Sequence, residues 1–328
     1  MQQHKIPITI LTGFLGSGKT TLLNHLLQTR TDKQIAVIEN EFAEYAFDTD
    51  MVDKQAVDIT SINSGCICCT QNGALIEGVL SLIAKTNQFN HLIIEATGLA
   101  NPADVTASLL NDFVQEHFYI DAVICLADAV NLKTQLQQTE ETARQIGYAD
   151  IILLSKTDTV QTSAISILKE ELALVNPFAS IYECTLGKIK NDTDLLDLKL
   201  FTTAKIEQTT QQVKHQHHHH HHGITSFSFE FEEPFEFMAL HFFLNQIEQH
   251  FGKDIYRIKG FVCAHGYENR MILQSVGQSH VWQRGSSWRP DETPATKIVF
   301  IGKNMNRQTI EKHLSHCFVK NILEHSSI

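Results

Sequence analysis

The chain has 328 residues, 43% of them hydrophobic, and a formal net charge of −11. That length accommodates two domains, or one large domain with an appendage, and the apolar fraction is that of an ordinary globular protein. The acidic balance without any basic cluster argues against nucleic acid as a partner, and no apolar run approaches the roughly 18 residues a membrane helix needs.

The opening "MQQHKIPITILTGFLG" has one lysine, a short apolar run and a glycine-rich turn, which is not the build of a signal peptide. Seven cysteines, at 66, 68, 69, 125, 184, 263 and 317, are an odd number. Reduced thiols in a cytoplasmic protein are therefore expected, with no disulfide scaffold. Strand runs then alternate with helical patterns. Residues 6–12 read as a strand, and 20–28 as a helix with Leu22, Leu23, Leu26 and Leu27 on one face. Residues 34–39 are a second strand, 56–62 an additional one, and 73–85 a helix. Strands at 91–96, 121–128, 150–156 and 180–184 follow, with helices between them, one starting near Pro102 and one over 162–175. Apolar strands alternating with helices predict an α/β fold, a mostly parallel sheet with helices on both faces, assigned to residues 1–186.

Residues 187–223 read as a polar, histidine-rich linker, and 224–328 as a smaller C-terminal α+β domain. In that domain Phe227, Phe229 and Phe231 alternate along a half-buried strand, and 235–251 repeat apolar residues at helical spacing. Strand-like pieces at 255–264, 270–276 and 297–302 precede an amphipathic helix at 306–319.

Between the first strand and the first helix lies "GFLGSGKTT", the spacing G-x-x-x-x-G-K-T from Gly13 to Thr20. Gly13, Gly16, Ser17, Gly18, Lys19, Thr20 and Thr21 form a candidate phosphate cradle, in which backbone N–H groups and the helix N-terminus face phosphate oxygens. Lys19 would reach the β- and γ-phosphates, and the Thr20 hydroxyl would bind Mg²⁺. "SKTD" at 155–158 ends a strand and is similar to the guanine-reading signature of GTPases, with Ser155 as a departure in its first position. There Asp158 would accept two hydrogen bonds from guanine, and the Lys156 stem would pack along the base. "LIIEATGLANP" supplies Glu95 at a strand end, placed to hold Mg²⁺ through water, and Gly98, whose amide would touch the γ-phosphate. Lys19, Thr20 and Glu95 are the candidate catalytic residues.

Taken in order, "GFLGSGKTTLLNHLL", "AVIENEFAE", "NSGCICC", "EATGLANP" and "SKTD" resemble the CobW/YjiA-type P-loop GTPases, a branch of the SIMIBI class of metal-chaperone GTPases. "RIKGFV" and "ETPATKIVFIG" resemble the C-terminal domain of that family more loosely. The resemblance implies GTP and GDP as ligands with Mg²⁺, and slow GTP hydrolysis coupled to binding a transition metal, often Zn²⁺, or to its delivery to a client metalloprotein. It also implies Cys66, Cys68, Cys69, Glu39 and Glu44 as metal ligands, Cys68 foremost. Ala43 stands where the family usually has glycine. On spacing alone, C-x-C-C without a second cysteine pair does not build a closed four-thiolate zinc site. A mixed shell completed by carboxylates on the loop after the second strand suits a carrier that must release its metal. The run His217–His222 reads equally as a weak metal-collecting segment or as a passive linker. A metal-sequestering or sensing protein with a nucleotide switch, and a small-molecule kinase, are the rival readings, and a homodimer is left open.

Overall fold

A computed structural model describes residues 5–41, 58–63, 71–191, 193–213, 224–277 and 279–325. Glu44, Cys66, Cys68, Cys69 and the run His217–His222 lie outside the described residues. Contacts divide the chain into two units, one of residues 1–172 and 179–200, the other of 173–178 and 201–328.

In the first unit the elements are β1 (Ile6–Thr12), α1 (Lys19–Thr29), β2 (Ile35–Glu41), β3 (Asp58–Asn63), α2 (Gln71–Ile83), β4 (His91–Ala96), α3 (Pro102–Leu109), α4 (Asp112–His117), β5 (Phe118–Asp128), α5 (Leu132–Gln138), α6 (Glu140–Tyr148), β6 (Ile151–Ser155), α7 (Thr162–Val175), β7 (Ser180–Thr185) and β8 (Lys188–Ile189). They build one sheet in the order β3-β2-β4-β1-β5-β6-β7-β8, parallel through β7, with β8 antiparallel. β1 is central and buried along its whole length, as a strand covered on both faces must be. Leu22, Leu23, Leu26 and Leu27 of α1 pack on Leu11, Val37, Ile93, Ile124 and Leu153 of the sheet, the stripe that helical spacing predicts.

The second unit contains α8 (Thr203–Gln212), β9 (Ile224–Phe231), α9 (Phe237–Phe251), β10 (Ile255–Val262), β11 (Asn269–Val276), β12 (Ser279–Ser287), β13 (Thr296–Lys303), α10 (Arg307–Ser315) and α11 (Val319–His325). Its five strands form an antiparallel sheet in the order β12-β11-β10-β13-β9. Phe227 and Phe229 of β9 join Leu240, Leu244, Ile258, Phe300 and Leu314 in one core.

Several features differ from the sequence reading, among them the helix read over 306–319, which ends at Ser315 before a separate α11 begins at Val319. Residues 203–212, read as part of a linker, form α8. Its buried stripe is Ile206, Glu207 and Thr210, so apolar periodicity has a single large residue to register. The helix is held instead by Ile206 against Phe261 and Ile272, and by hydrogen bonds to Glu207 from the Ser286 N–H (2.7 Å) and hydroxyl (2.6 Å). β12 was not anticipated because it is a polar edge strand with most residues at least partly exposed. Finally, β2 continues through Glu41, so Glu39 lies inside a strand and not on the loop after it. Backbone pairing to β3 and β4 carries the strand past its last apolar residue, Ile38.

Candidate nucleotide site

The carboxyl ends of β1, β2 and β4 open onto a cleft of about 280 Å³, the edge of an α/β sheet where ligands bind. The phosphate loop forms one wall. Gly13 has φ 139°, and a Cβ there would lie 2.4 Å from the Leu126 carbonyl oxygen, so only glycine lets β1 turn beside β5. Gly18, at φ 101°, is the left-handed cap from which α1 starts. The N-terminus of α1 thereby lines the cleft, a place that suits an anion. Lys19 is largely buried, and its Nζ donates to Gly13 O at 3.0 Å, which curls the ammonium back over the loop. The Ser17 hydroxyl is buried and, among the described residues, has no hydrogen-bond partner.

The opposite wall comes from β2, β4 and the residues after β4. The Thr20 hydroxyl donates to Glu95 Oε1 at 2.8 Å, and Glu39 and Glu95 are direct neighbours in the β2–β4 register. Thr20, Glu39 and Glu95 all line the cleft, with Thr97 and Gly98 beyond them. The Thr20 hydroxyl and the Glu95 carboxylate are hard oxygen donors, which fit Mg²⁺. Thr20 and Glu95 would hold Mg²⁺ there, and the ion would supply positive charge against phosphate oxygens. Gly98 is pressed against the phosphate loop: a Cβ on it would meet Leu15 Cδ2 at 2.6 Å and Leu15 N at 2.8 Å.

Of the residues anticipated from sequence, Gly16, Gly18, Lys19, Thr20, Thr21, Glu39, Glu95 and Gly98 line this one cleft. Lys156 and Asp158 do not, and belong to an adjoining loop. That loop is tied to the cradle, because the Ser155 hydroxyl donates to Ser17 O at 2.7 Å. Ser155, the departure from the signature, therefore links segment 155–158 to the loop between β1 and α1. Lys156 adopts φ 56° and donates to Asp128 Oδ2 at 2.8 Å, while Asp158 is exposed in a short 3₁₀ turn.

Asp128, which the sequence reading passed over, is the partner of the Lys156 ammonium. Burial opposes its charge, yet hydrogen bonds from Lys156, Asn131 and the Val130 N–H outweigh burial and hold its carboxyl below the ordinary range. A second omission is the turn after β7. Thr185 shares a hydroxyl–hydroxyl hydrogen bond of 3.0 Å with Thr157, and Leu186 stands 77% exposed at φ 49° beside the base-reading loop. An aspartate ending an apolar strand was the available signal for the first. Nothing in "TLGK" signals the second, since its proximity to Thr157 arises from strand order alone.

Among the described residues no group of three or more His, Cys, Asp or Glu side chains is placed to hold a metal. Of the five metal ligands implied by resemblance, Glu39 is the described one, and it faces the nucleotide cleft.

Residues 7–183 match the family described as CobW/HypB/UreG, nucleotide-binding domain, and residues 224–318 match the cobalamin synthesis protein cobW C-terminal domain. The zinc chaperone YjiA of Escherichia coli is 33% identical over 313 residues, covering 94% of this chain and 97% of that protein. The zinc chaperone CobW of Pseudomonas aeruginosa is 30% identical over 344 residues, covering 94% and 91%. The crystal structure of the zinc-bound YjiA GTPase from E. coli superposes with a TM-score of 0.75 at 29% identity, over 96% of this chain and 99% of that one. A zinc-bound triple mutant of the same GTPase, with one glutamate and two cysteines changed to alanine, matches to the same extent. A phosphate cradle between β1 and α1, an acidic wall on β2 and β4, and full-length similarity to these relatives lead to one conclusion: this chain belongs to the CobW/HypB/UreG family of nucleotide-binding proteins and carries a CobW C-terminal domain.

Proposed function

We propose that this protein is a GTPase that binds zinc and couples its nucleotide state to delivery of the metal to a client protein. The observation that carries the coupling is the position of Glu39. The same carboxylate that resemblance assigns to the transition metal lines the nucleotide cleft next to Glu95 and Thr20. Loss of the terminal phosphate changes the charge facing Glu39, and with it the metal affinity of any shell to which Glu39 contributes. Reciprocity then requires that zinc alter the relative affinities for GTP and GDP.

In this reading Lys19 neutralises phosphate charge, Thr20 and Glu95 hold Mg²⁺, Lys156 and Asp158 select guanine, and Cys66, Cys68, Cys69 and Glu44 complete the zinc shell with Glu39. Catalysis rests on positioning and charge neutralisation, so turnover is slow without a partner. The free thiols of Cys125, Cys184, Cys263 and Cys317 suit action in a reducing cytoplasm. No helix among the described residues is long and apolar enough to cross a membrane.

The test is a zinc competition titration on the full chain, first with the imido analogue of GTP and Mg²⁺, then with GDP. The two zinc affinities are expected to differ about 10-fold, a coupling of ordinary size. Equal affinities would remove the delivery mechanism. Tight zinc in both states, without transfer to an apo-acceptor, would favour sequestration instead.

A further inference from the structure

Gln145 is a polar residue on the buried face of α6. Thr142, Ala143, Ile146 and Tyr148 pack inward around it, and Gln145 itself has no exposed surface. An amide in such a place costs desolvation unless its hydrogen-bonding groups are used. Gln145 Nε2 donates to Gly98 O at 3.0 Å and to Ala100 O at 3.2 Å. Both carbonyls belong to the segment leaving β4, 47 and 45 positions away in sequence.

That segment is a tight turn. The Ala100 N–H donates to Thr97 O at 3.1 Å, and the Leu99 N–H to Thr97 Oγ1 at 3.2 Å. Leu15 of the phosphate loop closes on it from the other side at Gly98. The turn is thus held between the phosphate loop and the Gln145 amide, with Thr97 and Gly98 facing the cleft beside Lys19. Gln145 does not reach the cleft. Its Oε1 is buried and, among the described residues, accepts no hydrogen bond, so what the side chain gives its surroundings is its pair of donors.

We infer that Gln145 is a positioning residue for GTP hydrolysis: by holding the Gly98 and Ala100 carbonyls it orients the 97–100 turn so that the Gly98 N–H reads the terminal phosphate. The inference rests on the nucleotide reading of the cleft. Without the amide, the buried Gly98 carbonyl and the part-buried Ala100 carbonyl lose their donor, and the turn relaxes away from the arrangement that distinguishes GTP from GDP. GDP lacks the group that the turn reads, so its binding does not depend on Gln145.

The experiment compares the full chain with Gln145→Met, which keeps the length of the side chain and removes its donors. Turnover of Mg²⁺-GTP is measured beside equilibrium affinities for GDP and for the imido analogue of GTP. We expect kcat to fall about 10-fold and the analogue to weaken by a similar factor, while GDP affinity moves less than about twofold. An unchanged kcat in folded Gln145→Met, or equal weakening of GDP and the analogue, would overturn the role. Thermal melting in GDP reports whether the variant folds. If it does not, Gln145→Asn, which keeps the amide but draws it back by one methylene, is expected to show the same split and is judged by the same criteria. A wild-type chain that neither binds nor hydrolyses GTP would overturn the nucleotide reading itself, a result separable from any behaviour of the variants.

Discussion

The two ends of the parallel sheet carry comparable chemistry and use it differently. At the carboxyl end, Lys19, Glu39 and Glu95 surround open volume. Toward the amino end, His91 and Asp121 are fully buried and spend their hydrogen bonds internally. The Thr9 hydroxyl meets His91 Nε2 at 2.9 Å and donates to Asp121 Oδ2 at 3.4 Å, and the Lys199 N–H donates to Asp121 Oδ1 at 2.6 Å. Asp197 stands 3.6 Å from His91 Nδ1 and is paired with Lys33. Burial pushes the His91 imidazole down to about 4 and pushes the Asp121 carboxyl up. Perturbed acidity by itself would have pointed to this end as a site. The comparison teaches that buried ionisable groups mark a ligand site when they line a cavity. Here they hold residues 197–200 against the strands.

The largest effect that would break this contrast is at the open end. Lys19→Ala removes the ammonium proposed to neutralise phosphate charge and is expected to slow single-turnover GTP hydrolysis by about 10³-fold. Equal rates in variant and wild type would show that the cleft does not do this chemistry.

At the closed end the expected effect is on stability. The unfolded imidazole titrates near 6.5 and the folded one near 4, so the unfolded chain binds more protons between those values. The stability that comes from burying neutral His91 is present above pH 6.5 and lost as pH falls through about 4. The loss amounts to about 3 kcal/mol. Asp121, shifted upward, contributes with the opposite sign: its share is present at low pH and fades as pH rises through its folded value. Urea unfolding from pH 7 to pH 4 of wild type and His91→Gln isolates the imidazole, because the variant is expected to lose that part of the slope. An identical slope would mean His91 is not buried as the neutral form. GTP hydrolysis by His91→Gln at pH 7 is expected to stay near wild type.

Smaller changes sharpen the open end. Asp158→Asn should weaken GTP about 30-fold and admit xanthosine triphosphate, whose 2-carbonyl accepts from the new amide. Unchanged guanine preference would remove Asp158 from the base site. Gly98→Ala forces the added Cβ against Leu15 N, 2.8 Å away. It is expected to lower kcat about 10-fold while sparing GDP affinity. Full activity would show that the 97–100 turn has freedom that its contacts do not suggest.

Legibility followed the range of the interactions. The cradle was readable because Gly13, Gly18, Lys19 and Thr20 act through the conformation of one continuous strand–loop–helix segment. Most strands of the first unit were readable because apolar runs bury on both faces. α8 was not, since hydrogen bonds to Glu207 hold it as much as Ile206 does. The end of β2 was misjudged because Glu39 and Glu41 extend the strand through backbone pairing, for which side-chain hydropathy is no guide. Gln145 carries no local signal, because its two acceptors lie 47 and 45 positions away in sequence.

By itself the sequence determined the phosphate cradle, the alternation of strands and helices, and the aromatic face of β9, all set by spacing and propensity within short stretches. Tertiary structure alone decided that Glu39 stands beside Glu95, that Ser155 ties the base loop to Ser17, and that Gln145 grips the turn after β4. Those adjacencies depend on strand order and helix packing, which emerge from burying the whole core at once and which no local stretch of chain encodes.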